Sequence, residues 1–227
     1  MSGCINIAAT MRAILLSVLA ASLALRAASA EGVDAHAHQQ LLASEEAAHP
    51  QDALPTVTRS LVNYRVPAIR LVRDDGEDVT LIDELNDGRP VVLNFIYTTC
   101  TGICPLSSHI FSQLQHKLGA ERDRVHLVSI SVDPEEDTPL RLREYAQQYA
   151  AGPSWQHYTG TVAASTAAQR AFDVYKGDKM GHTPVTLVRT ALGDPWVRFD
   201  GFATADMLLK ELHGKGQVTA AVSSTRQ

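Results

Sequence analysis

Cysteine is scarce in this chain, which has only three among its 227 residues. Cys4 lies in a segment that we expect to be removed, so Cys100 and Cys104 are the two that remain. Two neighbouring cysteines exclude a framework of disulfides between distant segments, since structural bridges gain most from closing long loops. Their spacing of one helical turn lets both sulfurs face one point, where they could hold a metal ion or close reversibly into a disulfide.

A long hydrophobic run is also missing. The apolar stretch at residues 13–25 has about 13 residues, whereas a membrane-spanning helix needs about 20. It follows Arg12 and leads to small residues at 28–30, which is typical of a secretory signal. We predict that residues 1–30 are a signal peptide cleaved after Ala30, with an uncleaved membrane anchor as the alternative.

Positive charge is not in excess. The chain has a formal net charge of −5, and about −7 without the signal, because that segment carries two arginines and no acidic residue. This sign argues against nucleic acid as a partner. The composition is ordinary for a globular protein. We predict a flexible, histidine-containing leader at 31–60, one folded domain at 61–213 and a flexible tail at 214–227.

Several segments have the patterns of β-strands. Two alternating runs flank the turn dipeptide Asp75-Gly76, which predicts an N-terminal β-hairpin. "PVVLNFIYT" and "VHLVSISVD" are continuous apolar runs, typical of strands that are buried on both faces. "PVTLVRT" and "PWVRFDG" indicate a later pair of strands.

Helices are predicted after both buried strands. Pro105 suits a first helical turn, and the apolar side chains after it recur every four residues up to a closing Gly119. The recurring residues are Leu106, Ile110, Leu114 and Leu118. Residues 137–139 combine a cap with a first-turn proline and begin another helix. A third helix is predicted at Thr166–Tyr175, and a closing helix in "TADMLLKELHG".

The order of these elements predicts an α/β protein. A buried strand followed directly by a helix whose first turn carries Cys100 and Cys104 is typical of the thioredoxin-like fold, which has a central mixed β-sheet flanked by helices. The start of a helix concentrates positive potential and free N–H groups, which stabilise a thiolate and lower its pKa. The pair is therefore predicted to be reactive, since the thiolate is both the nucleophile and the metal ligand.

Three segments, "VVLNFIYTTCTGICP", "SISVDPEEDTP" and "GHTPVTLV", resemble the Sco/SenC family of copper proteins that serve cytochrome c oxidase assembly. The resemblance runs from about Val66 to Leu212. It implies a thioredoxin-like fold that faces the periplasm, free or tethered to the inner membrane. It also implies that copper binds to Cys100, Cys104 and His182, and that the partner is an oxidase subunit with a copper site. Other periplasmic copper chaperones or thiol reductases are further partners that it suggests.

The chemistry of these donors agrees with copper. Two soft thiolates and one imidazole suit Cu(I), and the imidazole keeps Cu(II) accessible as well. Zinc usually claims a fourth ligand and is the lesser alternative. His182 precedes a strand that the predicted topology places beside the cysteine helix. No ligand role is predicted for the other histidines of the domain, His109, His116, His126, His157 and His213.

Two functions remain open. The first is a metallochaperone that holds one copper ion and passes it on by ligand exchange. The second is a thiol–disulfide oxidoreductase in which Cys100 attacks and Cys104 resolves. Thr183-Pro184 resembles the cis-proline segment beside the cysteines of disulfide oxidoreductases, and a cis bond there would favour the second function. A peroxidase of the peroxiredoxin kind is disfavoured, because Tyr97 stands where those enzymes carry proline.

Two carboxylates belong to the second family segment. Asp133 ends a strand at the carboxyl edge of the sheet, where functional residues of such sheets gather. It could steer a partner or polarise the site. The alternative, which we favour, is that Asp133 tightens a turn while Asp137 caps the next helix.

Overall fold

The computed structural model describes residues 56–223, with side chains as far as Gly214. The signal predicted at 1–30 and most of the leader predicted at 31–60 lie outside these residues, so both stay predictions. In the part of the chain that the structure describes, no helix is long and apolar enough to cross a membrane.

Eight strands form one mixed sheet within residues 56–223. In chain order they are β1 (Thr58–Val62), β2 (Arg70–Arg73), β3 (Asp78–Thr80), β4 (Val91–Ile96), β5 (His126–Ser131), β6 (Trp155–Thr159), β7 (Val185–Arg189) and β8 (Trp196–Asp200). Their order across the sheet is β1-β8-β7-β4-β5-β6-β2-β3. β4 pairs in parallel with β5 and antiparallel with β7, while β5 pairs in parallel with β6. The predicted hairpin is confirmed as β2–β3, with Gly76 at the positive φ of 93° that its turn requires.

The described chain has five α-helices, of which four lie between strands and the last follows β8. They are α1 (Leu81–Leu85), α2 (Ile103–Leu118), α3 (Pro139–Gln148), α4 (Val162–Ala171) and α5 (Ala205–Ser223). The Thr138 hydroxyl caps α3 by accepting from the Arg141 N–H at 3.3 Å, and Gly119 ends α2 with a φ of 53°. A mixed sheet with flanking helices is the predicted fold class.

Side chains of the central strand β4 alternate between the two faces of the sheet. Val91, Leu93 and Phe95 join an apolar cluster that includes residues of α1 and α4, and Val92 joins a second cluster with residues of α2 and α5. All six side chains of β4 are buried, as its continuous apolar run predicts. Both faces of the sheet are therefore covered by helices. A functional site is then expected at the edge where the parallel strands have their carboxyl ends.

Leu106 corrects the predicted apolar stripe of α2. It is 44% exposed, whereas Ile110, Leu114 and Leu118 are buried. A strict four-residue repeat drifts about 40° around a helix at each step, which places Leu106 about 120° from Leu118. Phe111, which is buried, completes the inner face of the helix instead.

Other elements differ from the sequence prediction. β1 and β6 have no clear strand pattern and are not predicted. α4 covers Val162–Ala171 instead of Thr166–Tyr175, because the Thr161 hydroxyl caps it by accepting from the Ala164 N–H at 3.1 Å. α5 continues past Gly214, where the sequence predicts the tail to begin, since a glycine costs a helix about 1 kcal/mol without forbidding it.

Candidate metal centre

The two cysteines lie in and after the turn between β4 and α2. β4 ends at Ile96, the Cys100 N–H donates to the Tyr97 carbonyl at 3.2 Å, and α2 begins at Ile103. Only Cys104 is therefore in the first turn of the helix. This corrects the prediction that both cysteines are, because the chain needs the turn to pass from strand to helix. Both thiols are reduced and buried, Cys100 at 8% exposure and Cys104 at 1%.

Cys100 is the sulfur that its surroundings make acidic. Burial favours its neutral thiol, but hydrogen bonds from the Cys104 thiol, from the N–H groups of Cys104 and Gly102 and from the Tyr97 hydroxyl together lower the Cys100 pKa. The Cys104 N–H donates to the Cys100 Sγ at 3.4 Å. At Cys104 burial raises the pKa, and the neighbouring Cys100 raises it further. The Cys100 sulfur is thus the better nucleophile, and the Cys104 thiol keeps its proton.

Tyr97 contacts the Cys100 sulfur through its hydroxyl. Burial, followed by the hydrogen bond with Cys100, raises the Tyr97 pKa to about 12, so the hydroxyl stays protonated and can donate. The same oxygen lies 3.9 Å from the Sδ atom of Met180. Tyr97 therefore connects the cysteine turn to the segment that carries His182.

Asp137 supports the cysteine turn from the segment between β5 and α3. Its fully buried carboxylate accepts hydrogen bonds from the Thr98 hydroxyl at 2.6 Å, the Thr98 N–H at 3.1 Å and the Ser131 hydroxyl at 2.6 Å. Burial raises the Asp137 pKa, although these hydrogen bonds oppose the shift. Because Thr138 caps α3, the prediction that Asp137 caps it is wrong. Its role in supporting the cysteine turn could have been predicted from the position of a carboxylate after β5, the strand that pairs with β4.

His182 lies between a short 3-10 turn, Lys179–Gly181, and β7. Its Nε2 atom is 3.0 Å from the carbonyl oxygen of Phe95, the next-to-last residue of β4. A carbonyl can only accept, so Nε2 carries the proton and the lone pair of the neutral ring is on Nδ1. Burial lowers the His182 pKa, which the Phe95 carbonyl opposes and Lys176 reinforces. The neutral imidazole is the form that binds metals.

Residues 176–184, which we call the histidine loop, are held against the carboxyl edge of the sheet. Lys179 Nζ lies 2.5 Å from Asp133 Oδ2, just beyond β5, and 5.7 Å from the centre of the Tyr97 ring. Asp133 also closes its own turn, since its carbonyl accepts from the Asp137 N–H at 2.9 Å. The bond before Pro184 is trans, as are all the peptide bonds between residues 56 and 223.

The structure brings the three predicted ligands to one edge of the sheet without assembling them. Cys100 and Cys104 are neighbours, and the His182 ring is bonded to the strand that leads into them. Among the described residues, no three His, Cys, Asp or Glu side chains are arranged as a metal site. The assignment of these three residues as copper ligands therefore stays a prediction. His109 and His116 are exposed on α2.

The sheet topology and the paired thiols define a thioredoxin-like dithiol protein. Residues 64–213 match the family model described as SCO1/SenC, and the chain belongs to that family. It is 37% identical over 100 residues to the SCO1 protein homolog of Bacillus subtilis, in an alignment that covers 44% of this chain and 51% of that protein. The chain therefore spans about half the length of this relative.

Two solved structures share the fold. ScoI of Bradyrhizobium japonicum, solved with copper bound, is 27% identical with a TM-score of 0.54, over 63% of this chain and 94% of that one. BsSco, described as a member of the Sco family of cytochrome c oxidase assembly proteins with a disulfide switch, is 26% identical with a TM-score of 0.57. That alignment covers 69% of this chain and 96% of BsSco. The thioredoxin-like fold and the family resemblance are confirmed.

Proposed function

We propose that this chain binds one copper ion through Cys100, Cys104 and His182 and delivers it to a copper site of cytochrome c oxidase. The observation that carries the proposal is the hydrogen bond from His182 to Phe95, which keeps an imidazole at the edge of the sheet where the reduced cysteines lie. Two thiolates with one imidazole are donors that suit copper. The copper-bound ScoI and the oxidase-assembly role stated for BsSco support the same function here.

Copper is the cargo of this function, and the residues of the chain prepare its site. Both thiols release their protons as the ion arrives, because thiolates are the form that binds metal. The Nε2–H of His182 stays on the Phe95 carbonyl, which leaves Nδ1 as the ligand atom and fixes the tautomer of the ring. A movement of the histidine loop completes the site, and the ion pair between Lys179 and Asp133 sets the position from which it starts.

Delivery follows from a low coordination number. A three-coordinate Cu(I) ion can accept an incoming thiolate of the oxidase subunit before it loses a ligand of its own. Cys100 is nearer the surface than Cys104, so the exchange begins on its side. We place this exchange in the periplasm on the basis of the signal predicted at residues 1–30, with the protein free or tethered to the inner membrane.

Copper titration of single variants tests this proposal. The reduced full chain is expected to take up one Cu(I) ion in competition with a chelator. Cys100→Ser, Cys104→Ser and His182→Ala should each weaken binding by about 100-fold or more, since each removes a ligand. His109→Ala is the matched control and should bind normally, because His109 is exposed on α2. Unchanged affinity, stoichiometry and spectrum in His182→Ala would contradict the three-ligand site.

Thiol–disulfide exchange is a second candidate function, favoured by the contrast between the two cysteines. We propose that the Cys100 thiolate attacks a partner disulfide and bonds to one of its sulfurs, while the other partner sulfur leaves as a thiolate. Cys104 then attacks Cys100, which releases the second partner sulfur and forms the Cys100–Cys104 disulfide. The disulfide switch stated for BsSco supports this chemistry. Wild-type rates of disulfide reduction in a His182→Ala protein that has lost copper would separate the two functions.

A further inference from the structure

Met180 is an exposed methionine on the histidine loop. The residue is 75% exposed. Its backbone lies in the 3-10 turn Lys179–Gly181, and its N–H donates to the Asp178 carboxylate at 2.8 Å. The turn therefore fixes the backbone of Met180, while its side chain takes no part in the apolar core.

The Met180 sulfur is close to the cysteine turn. The Tyr97 hydroxyl lies 3.9 Å from the Met180 Sδ, and the same hydroxyl forms a hydrogen bond with Cys100. The Tyr97 hydroxyl donates to the Met180 sulfur, and because a thioether sulfur has two lone pairs, one of them remains free for a metal ion. His182 follows Met180 by two residues on the histidine loop, so the thioether and the imidazole reach the site on one segment.

A thioether differs from a thiolate in two respects that matter for copper. It is a soft donor that selects Cu(I), and because it is neutral it loses no proton when it binds. Beside cysteine and histidine ligands, methionine commonly forms a weak and long bond to copper. A weak and exposed sulfur suits the first contact with an incoming ion, whereas the thiolates suit its retention.

We propose that Met180 is a fourth, weak copper ligand at the mouth of the site, which takes Cu(I) from its donor and passes it to Cys100. This proposal rests on the copper function proposed above. The ion stays Cu(I) throughout. Its bond to the Met180 Sδ forms as a donor ligand leaves, its bond to Cys100 then forms as the thiol proton passes to solvent, and Cys104 and His182 complete the site.

Methyl NMR of the full chain, labelled with 13C-methyl methionine, tests this contact. One equivalent of Cu(I), added to the reduced protein without oxygen, is expected to shift the Met180 signal and to leave the Met207 signal in place. Met207 is the matched control because it packs beside the cluster of α2 and α5. The signals are assigned by their loss in Met180→Leu and Met207→Leu. A protein that binds Cu(I) with an unmoved Met180 signal would overturn the proposal. A protein that binds no Cu(I) would overturn the copper function, and this proposal with it.

The rate of copper uptake gives a second test. Met180→Leu keeps the size and the apolar character of the side chain and removes the donor atom. It is expected to take up Cu(I) from a chelate about tenfold more slowly than the wild type, while still filling to one equivalent. Met207→Leu should fill at the wild-type rate, and equal thermal midpoints of the copper-free proteins would show that the fold is intact. A full uptake rate in Met180→Leu would overturn the proposal.

Discussion

Cys100 and Cys104 are the same residue type four positions apart, yet the structure gives them opposite tendencies. Hydrogen bonds outweigh burial and lower the pKa of Cys100, whereas burial raises the pKa of Cys104. The spacing of the pair at a helix start is enough to predict that it is reactive. It does not predict the contacts that make one sulfur acidic, because the Tyr97 hydroxyl reaches Cys100 only through tertiary packing.

Alkylation of the reduced protein tests this difference. Iodoacetamide reacts with thiolates, so we expect Cys100 to be modified first, with a pH midpoint below the ~8.5 of an ordinary cysteine. Tyr97→Phe removes a donor to the thiolate and should slow the reaction of Cys100 at neutral pH by about tenfold, the effect of about 1.4 kcal/mol.

The matched control for this experiment is Tyr64→Phe, because the Tyr64 hydroxyl bonds to Arg198 instead of a cysteine. It should leave the alkylation of Cys100 unchanged. Modification of Cys104 ahead of Cys100, read by mass spectrometry, would contradict the account of the two thiols.

Strand β6 shows why some elements could not be predicted. The β2–β3 hairpin is signalled by turn chemistry at Asp75-Gly76, and β4 by its apolar run. β6 has the sequence WQHYT, in which Gln156 and His157 interrupt any apolar pattern. His157 is nevertheless fully buried, with its ring centre 5.2 Å from that of Trp155 and 6.2 Å from that of Tyr145. The aromatic rings that surround His157 are brought there by tertiary packing, which a local sequence pattern does not reveal.

The burial of His157 predicts a pH dependence of stability. Burial lowers the His157 pKa from an ordinary 6.5 to about 3, so the unfolded chain binds a proton where the folded chain does not. The contribution to stability is fully present above the unfolded pKa and is lost as the pH falls toward the folded one. Relative to His157→Phe, the free energy of unfolding of the wild type should fall by about 1.4 kcal/mol per pH unit in this window.

Urea unfolding of the two proteins between about pH 7 and about pH 4.5 measures this slope. His116→Ala changes an exposed histidine of α2 and should show no such slope relative to the wild type. Parallel pH curves for the wild type and His157→Phe would mean that His157 takes up its proton inside the fold, against the prediction.

At the scale of the whole domain, three motifs were sufficient to predict the fold and the family. Each motif lies next to a strand at the same edge of the sheet. The cysteines follow β4, Asp133 and Asp137 follow β5, and His182 precedes β7. The geometry of the site does not follow in this way. It depends on the contacts of Lys179 with Asp133 and of His182 with Phe95, which join residues 46 and 87 positions apart. A local sequence pattern therefore cannot predict how the His182 imidazole approaches the two sulfurs.

X-ray absorption spectroscopy of the Cu(I)-loaded full chain tests most directly whether a remote imidazole and two neighbouring sulfurs share one ion. The account predicts a copper ion bound closely by two thiolate sulfurs and one imidazole nitrogen, with the Met180 thioether as a weaker and longer contact. The nitrogen should be lost in His182→Ala and kept in His109→Ala. A wild-type spectrum with sulfur ligands alone, unchanged by His182→Ala, would contradict it.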